Sequence, residues 1–232
     1  MTRSSTPRAA KPPNAQAFTR KLLAWYAHTA RDLPWRRTRD PYRVLVSEFM
    51  LQQTQVSRVR EYYPRFLERF PDLEALASAR PRAVREAWDG LGYYARAANL
   101  HALARVVSQD LDGTLPEDPQ ALLKLPGVGP YTAGAVASFA YEKPVPAVDT
   151  NVARVIRRVF FGRATGNLQR VTEVWRLAGR LVPKNGKRAW KFNQAIMELG
   201  ALICVARKPK CEQCPVRRDC RTGRDYLSPK RP

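Results

Sequence analysis

Four cysteines, Cys204, Cys211, Cys214 and Cys220, stand in one short stretch, and no other cysteine occurs in the 232 residues. The spacing C-x6-C-x2-C-x5-C lets four thiolates converge on one metal centre. Disulfide frameworks belong to oxidising compartments and small secreted scaffolds, whereas this is a long chain whose start does not read as a secretory signal, so metal is the expectation. Tetrahedral thiolate sulfur suits zinc or a [4Fe-4S] cluster. Zinc knuckles usually bring two C-x2-C pairs and only Cys211 and Cys214 form one; the six- and five-residue gaps fit the larger iron-sulfur cube better. Arg207, Lys208 and Lys210 fill the first gap. From Val205 to Pro232 nine Lys/Arg face three Asp/Glu, a loop composition suited to phosphate.

A second constellation lies upstream. Leu125-Pro126-Gly127-Val128-Gly129-Pro130-Tyr131-Thr132 sits between two helical patterns, and its glycines allow the backbone to turn tightly. The amides of Gly127, Val128 and Gly129 can then approach a phosphate at the start of the next helix, where unpaired N–H groups and the dipole favour an anion. Such contact grips a nucleic-acid backbone without reading sequence. The same glycines also suit an ordinary helix connection. Twenty residues beyond Gly129 comes Val148-Asp149-Thr150-Asn151-Val152, in which Asp149 alone would be an N-cap. Glu48 sits on an apolar helical segment beside Val46 and Phe49. Partial desolvation there would raise its pKa and let it hold a proton; the plainer reading is a solvated or ion-paired helix residue.

These groups need a frame to hold them. Strand signals are nearly absent and apolar residues recur at helical intervals, beginning with Phe18, Leu22, Trp25 and Tyr26. Helical patterns cover 44–51, 58–70, 82–88, 95–107, 121–124, 132–140, 152–160, 171–181 and 190–204. Asp118-Pro119 supplies a cap followed by proline at the first helical position, and Asp72 caps a helix after Pro71. The fold class expected is all-α. Lys+Arg 41 against Asp+Glu 20 gives +21, the electrostatic footprint of a polyanion binder or, less specifically, of a well-solvated basic surface. No apolar run is long enough to cross a bilayer. Residues 1–16, rich in Ser, Pro, Arg and Ala, read as a disordered basic tail, or as a mitochondrial transit peptide.

Hairpin, downstream aspartate and four-cysteine terminus, in this order from Phe18 to Cys220, resemble the helix-hairpin-helix DNA glycosylases of the endonuclease III superfamily. Four further segments are similar to its adenine-specific mismatch branch, the MutY family. They are Leu33-Pro34-Trp35-Arg36, Ser47-Glu48-Phe49-Met50-Leu51-Gln52-Gln53-Thr54-Gln55-Val56, Gly90-Leu91-Gly92-Tyr93-Tyr94-Ala95-Arg96-Ala97 and Asn193-Gln194-Ala195-Ile196-Met197-Glu198-Leu199-Gly200-Ala201. The resemblance implies two lobes: a six-helix barrel over 31–143 carrying the hairpin, and a cluster domain of 17–30 plus 144–225, with a tail at 226–232. Asp149 would lie at their junction, with Glu48 facing the same everted nucleotide. It implies a [4Fe-4S] cofactor on the four cysteines and double-stranded DNA containing a mismatch as partner. It further implies a monomer free of membranes, acting in the cytoplasm on a bacterial nucleoid.

The reaction implied is hydrolysis of the N-glycosidic bond of adenine mispaired with guanine or 8-oxoguanine. Two carboxylates in different environments can divide that task. Glu48 would be the general acid toward adenine N7 and later help activate water. Asp149, with Asn151 beside it, would face the sugar cation. Tyr131 stands where lyase-competent relatives carry a catalytic lysine, so a Schiff base cannot form by that route and a monofunctional enzyme is expected; Tyr131 would be a hydrogen-bonding neighbour of Asp149. Trp35, Arg36, Leu51 and Glu198 map onto the adenine pocket or the water site. Gln53 and Tyr93 match residues inserted into the base stack, with Gln52 among the DNA contacts.

Two departures stand out. The family usually reads Asp-Gly-Asn where this chain has Asp149-Thr150-Asn151, and it commonly adds a C-terminal domain recognising 8-oxoguanine, whereas twelve residues follow Cys220 here. Thymine or uracil mismatch glycosylases share the glutamate, the hairpin tyrosine and the Arg207-Lys208-Pro209-Lys210-Cys211 segment. They are the alternative, with a catalytically silent iron-sulfur DNA-binding protein as the third reading.

Overall fold

The computed structural model describes residues 14–162 and 169–225; residues 1–13 of the tail expected at 1–16, and the tail expected at 226–232, lie outside them. Among the described residues every regular element is helical, as the spacing of apolar residues requires. Helix α1 (Ala15–Thr29) starts inside the stretch expected to be tail, because the Asn14 side chain accepts from the amides of Gln16 and Ala17 at 2.9 and 3.1 Å. Its stripe buries Phe18, Leu22 and Tyr26, with Trp25 half-buried.

The backbone divides into two units. One comprises residues 31–148 with 182–193, and the other comprises the described residues of 14–30, 149–181 and 194–225. In the first, Asp40 accepts from the Arg43 amide at 2.9 Å and Pro41 takes the first helical position, where a missing N–H costs nothing. This starts α2 (Pro41–Leu51). Asp118 and Pro119 repeat the device at α7 (Pro119–Leu122), and Asp72 caps α4 (Leu73–Ala77), each cap contributing about 1 kcal/mol.

Helix α2 packs against α3 (Val56–Arg69), α6 (Ala95–Asp110) and α8 (Pro130–Phe139). Enclosed in this way, it buries an unbroken run from Val44 to Met50 rather than one stripe, and α8 does the same from Thr132 to Phe139. Helices α4 and α5 (Pro81–Ala87) lie along α6. Phe66 packs edge-on against the fully buried Trp88, ring centroids 5.7 Å apart, and truncating either ring costs about 3–5 kcal/mol.

The second unit holds α1 and α9 (Thr150–Ile156), the latter passing into a π-helical turn at Arg157–Phe161. It also holds α10 (Gln169–Leu181) and the C-terminal part of α11 (Gly186–Leu202). After these come two 3-10 turns, Cys211–Gln213 and Arg217–Asp219, and α12 (Arg221–Asp225). Phe18 of α1 meets Phe160 edge-on at 5.3 Å, and Lys21 pairs with Asp219 at 2.6 Å, so α1 braces the segment that carries the cysteines.

Candidate active site

Glu48 lies in the buried run of α2, 4% exposed, and the Tyr131 hydroxyl donates to its Oε2 at 2.6 Å. The hairpin seats Tyr131 in the first turn of α8, within reach of α2. Gly127 makes that seat possible. Its φ is +73°, and a Cβ there would stand 2.7 Å from Cβ of Asn99 and 3.0 Å from the Phe49 ring. Gly129 then caps α8, Val128 is buried, and Ala133 donates to the Gly129 carbonyl at 2.9 Å. Gln52, just past α2, donates to Thr132 Oγ1 at 3.4 Å.

The remaining pocket candidates of this unit are Trp35, Arg36 and Leu51. Trp35 is buried on a 3-10 turn (Pro34–Arg36) that packs on α2, edge-on to Tyr63 at 5.6 Å. Arg36 donates to the Arg31 carbonyl at 3.1 Å, and Leu51 is half-buried at the end of α2.

In the other unit, Asp149 caps α9. Its Oδ1 accepts from the Val152 amide at 2.7 Å, and its Oδ2 from the Asn151 side chain at 2.8 Å. Arg154 extends the chain of bonds, donating to Asn151 Oδ1 at 2.7 Å and to the Gly200 and Cys204 carbonyls, both at 2.8 Å. Burial lowers the Arg154 pKa, but a guanidinium stays charged at any ordinary pH. Gly200 is what lets α11 approach: a Cβ there would lie 2.7 Å from Asn151 Cβ. Glu198 is fully buried on α11.

All four cysteines line one apolar cavity, closed by Val155, Val159, Leu199 and Ile203. Four cysteine thiols around one cavity are the soft donor set that an iron-sulfur cluster takes. Burial pushes the Cys214 thiol up to about 12 and Cys220 up to about 11, so a bound cluster must supply the positive charge that keeps them as thiolates. Arg158 donates to Cys204 Sγ at 3.4 Å and to the Val205 and Ala206 carbonyls at 2.7 and 2.8 Å, tying down the start of the basic loop. Arg207, Lys208 and Lys210 stand exposed on it.

Five described residues other than glycine have left-handed backbone: Gln53, Tyr93, Asp112, Glu142 and Lys208. Each such residue costs on the order of 1–3 kcal/mol unless its surroundings enforce it, and strain of this kind collects at functional surfaces. Gln53, Tyr93 and Lys208 are residues expected to face DNA. Tyr93 is 61% exposed, unusual for an aromatic ring.

The pattern of the HhH-GPD superfamily of base excision DNA repair proteins matches residues 46–183, and that of the iron-sulfur binding domain of endonuclease III matches 204–220. The chain belongs to the HhH-GPD superfamily. Its cofactor is a [4Fe-4S] cluster, and the matched stretch 204–220 holds all four cysteines. This HhH-GPD chain is 47% identical to the adenine DNA glycosylase of Mycolicibacterium smegmatis over 197 residues, covering 84% of this chain and 66% of that protein. It is 46% identical to the adenine DNA glycosylase of Homo sapiens over 218 residues, covering 88% and 39% respectively. It thus spans less than two thirds of the length of these relatives. Among solved structures it is similar to a thermostable thymine-DNA glycosylase, with TM-score 0.83 and 36% identity over 91% of this chain and 97% of that one. It is also similar to endonuclease III in a non-covalent DNA complex, with TM-score 0.77 and 26% identity over 92% and 98%. No described helix is long and apolar enough to cross a membrane.

Sequence reasoning gave no role to Arg96, Arg154, Arg158 or Asn193. Asn193 donates to Ser138 Oγ at 2.8 Å and the Val145 carbonyl at 2.9 Å, holding the segment that leads toward Asp149 against α8. A signal existed for Arg96. With Leu100, Leu103 and Val107 it falls on the buried stripe of α6, where an arginine has no business unless bonded.

Proposed function

We propose that this chain is a monofunctional DNA glycosylase that hydrolyses the N-glycosidic bond of adenine mispaired with guanine or 8-oxoguanine in double-stranded DNA. The observation that carries the reading is the Tyr131–Glu48 hydrogen bond: a carboxyl inside a helical core, partnered by a phenol where an amine would permit lyase chemistry. Glu48 is buried on α2 and the Tyr131 hydroxyl donates to its Oε2, so the carboxyl is held in one place to give and regain a proton. Glu48 protonates adenine N7 and then assists water; Asp149, steadied by Asn151, meets the positive charge developing on the sugar. Trp35, Arg36, Leu51 and Glu198 shape the base and water sites. Gln52, Gln53 and Tyr93 work at the mispair, while the amides of Gly127, Val128 and Gly129 and the side chains of Arg207, Lys208 and Lys210 hold phosphates. The cluster, when bound, gives the basic loop a rigid anchor. The relatives named adenine DNA glycosylases support the adenine reading. We assign the barrel lobe to 31–143 and the cluster lobe to 17–30 with 144–225, in a monomer acting on the bacterial nucleoid.

A second reading, thymine or uracil excision, is favoured by the likeness to a thymine-DNA glycosylase over nearly its whole length. Duplexes carrying A·G, A·8-oxoguanine, T·G or U·G, treated with the protein and then alkali, separate the two. Strand cleavage is expected at adenine only and is lost in Glu48→Gln and in Asp149→Asn; turnover surviving both substitutions refutes the roles, and cleavage confined to T·G or U·G selects the second reading.

A further inference from the structure

Arg96 is a buried cation that the chemistry above does not use. It rises from the second residue of α6, 8% exposed, with no carboxylate partner among the ion pairs of the described residues. Main-chain oxygens take the place of a counter-ion. Nη1 donates to the carbonyls of Phe49, Met50 and Gln52, at 2.9, 2.8 and 2.5 Å. Nη2 donates to the carbonyls of Leu91 and Gly92 at 3.1 and 3.0 Å and to Thr54 Oγ1 at 3.0 Å. The first set are the orphan carbonyls at the C-terminus of α2, where a positive charge also complements the helix dipole. The second set belongs to the loop before α6.

These two chain segments present Gln53 and Tyr93, at φ +56° and +48°, both in the left-handed region. Each residue follows a carbonyl that Arg96 holds: Gln52 before Gln53, Gly92 before Tyr93. The guanidinium also lies 5.6 Å from the Tyr93 ring centroid and 5.5 Å from that of Trp88, whose Nε1 donates to the same Gly92 carbonyl at 3.3 Å. One planar, permanently charged fork therefore fixes both loops against the same core, which a lysine, with its single nitrogen, cannot do.

We propose that Arg96 is a positioning residue for base extrusion, joining the Gln53 and Tyr93 loops into one rigid wedge that opens the base stack. The inference rests on the DNA glycosylase reading but concerns extrusion, a step that precedes bond cleavage and can be watched without it.

The test replaces the target adenine by 2-aminopurine opposite guanine and follows the fluorescence rise on unstacking, for wild type, Arg96→Lys and the milder Thr54→Val, which deletes one acceptor of the fork. Binding to a duplex carrying a tetrahydrofuran abasic analogue, where no base remains to be moved, is measured alongside. We expect the extrusion equilibrium to fall about tenfold in Arg96→Lys, equivalent to about 1.4 kcal/mol, and less in Thr54→Val, with affinity for the abasic duplex within about threefold of wild type. A purely structural role would weaken both signals together and would overturn the proposal, as would unchanged fluorescence in Arg96→Lys. A wild-type protein that raises no fluorescence overturns it as well. If wild type extrudes the base yet cleaves no substrate, the excision reading falls and the wedge stands.

Discussion

Replacing Gly200 by alanine should disable the site without touching either carboxylate. The added Cβ would sit 2.7 Å from Asn151 Cβ and 3.1 Å from the Asn151 carbonyl oxygen, where ordinary contact begins at 3.4 Å, so α9 and α11 must part by about 0.3 Å to escape overlap and by about 0.7 Å to reach ordinary contact. Both near atoms are backbone or Cβ, so no rotamer change relieves the clash. Overpacking of this kind costs about 1–3 kcal/mol, equivalent in a chain of this length to a melting point lower by about 2–12 °C. The larger effect is positional. Asn151 donates to Asp149 and accepts from Arg154, and displacement of a catalytic group by about 1 Å can cost about 100-fold in rate. Single-turnover excision of A·G duplex is expected to slow about 10- to 100-fold while DNA affinity holds. Gly179→Ala, at a helical glycine with nothing within 4 Å of the added carbon, is the control and should match wild type or be slightly more stable. A Gly200→Ala enzyme that excises within about twofold of wild type would refute the reasoning that close packing at Asn151 sets the placement of Asp149.

Three further outcomes are expected. Tyr131→Phe removes a hydrogen bond to a carboxyl group, worth about 1.5–3 kcal/mol, and should slow excision by about tenfold or more; borohydride should trap no protein–DNA adduct with either wild type or this variant. Asn193→Ala leaves Ser138 Oγ and the Val145 carbonyl without their partner and should destabilise by about 1–3 kcal/mol per unsatisfied group, read as an earlier urea midpoint with unchanged slope. Arg207→Ala, Lys208→Ala and Lys210→Ala should each weaken binding to matched and mismatched duplex alike and reduce the salt slope by about 1, with the single-turnover rate at saturation unchanged.

The helices were legible because their caps and stripes are local. Asp72 and the Asp118-Pro119 pair announce their helices within four residues, and Phe18, Leu22 and Tyr26 repeat at helical spacing. The 3-10 turns beside the cysteines and helix α12 were not, since three to five residues carry no periodicity to detect. The site divides along the same line. Motif resemblance named Glu48, Tyr131, Asp149 and the cysteines, but not the bond by which the Tyr131 hydroxyl reaches Glu48 across eighty-three residues. Partners of that kind depend on which helices pack together, and single residues do not encode it. Arg96 makes the point most sharply. Its acceptors are mostly main-chain carbonyls, which every residue possesses and no residue type reveals, so only its place on an apolar stripe betrayed it. A charged residue on the buried face of a helix beside loops that must hold unfavourable backbone conformations is therefore a signal to look for carbonyls left over at a helix end.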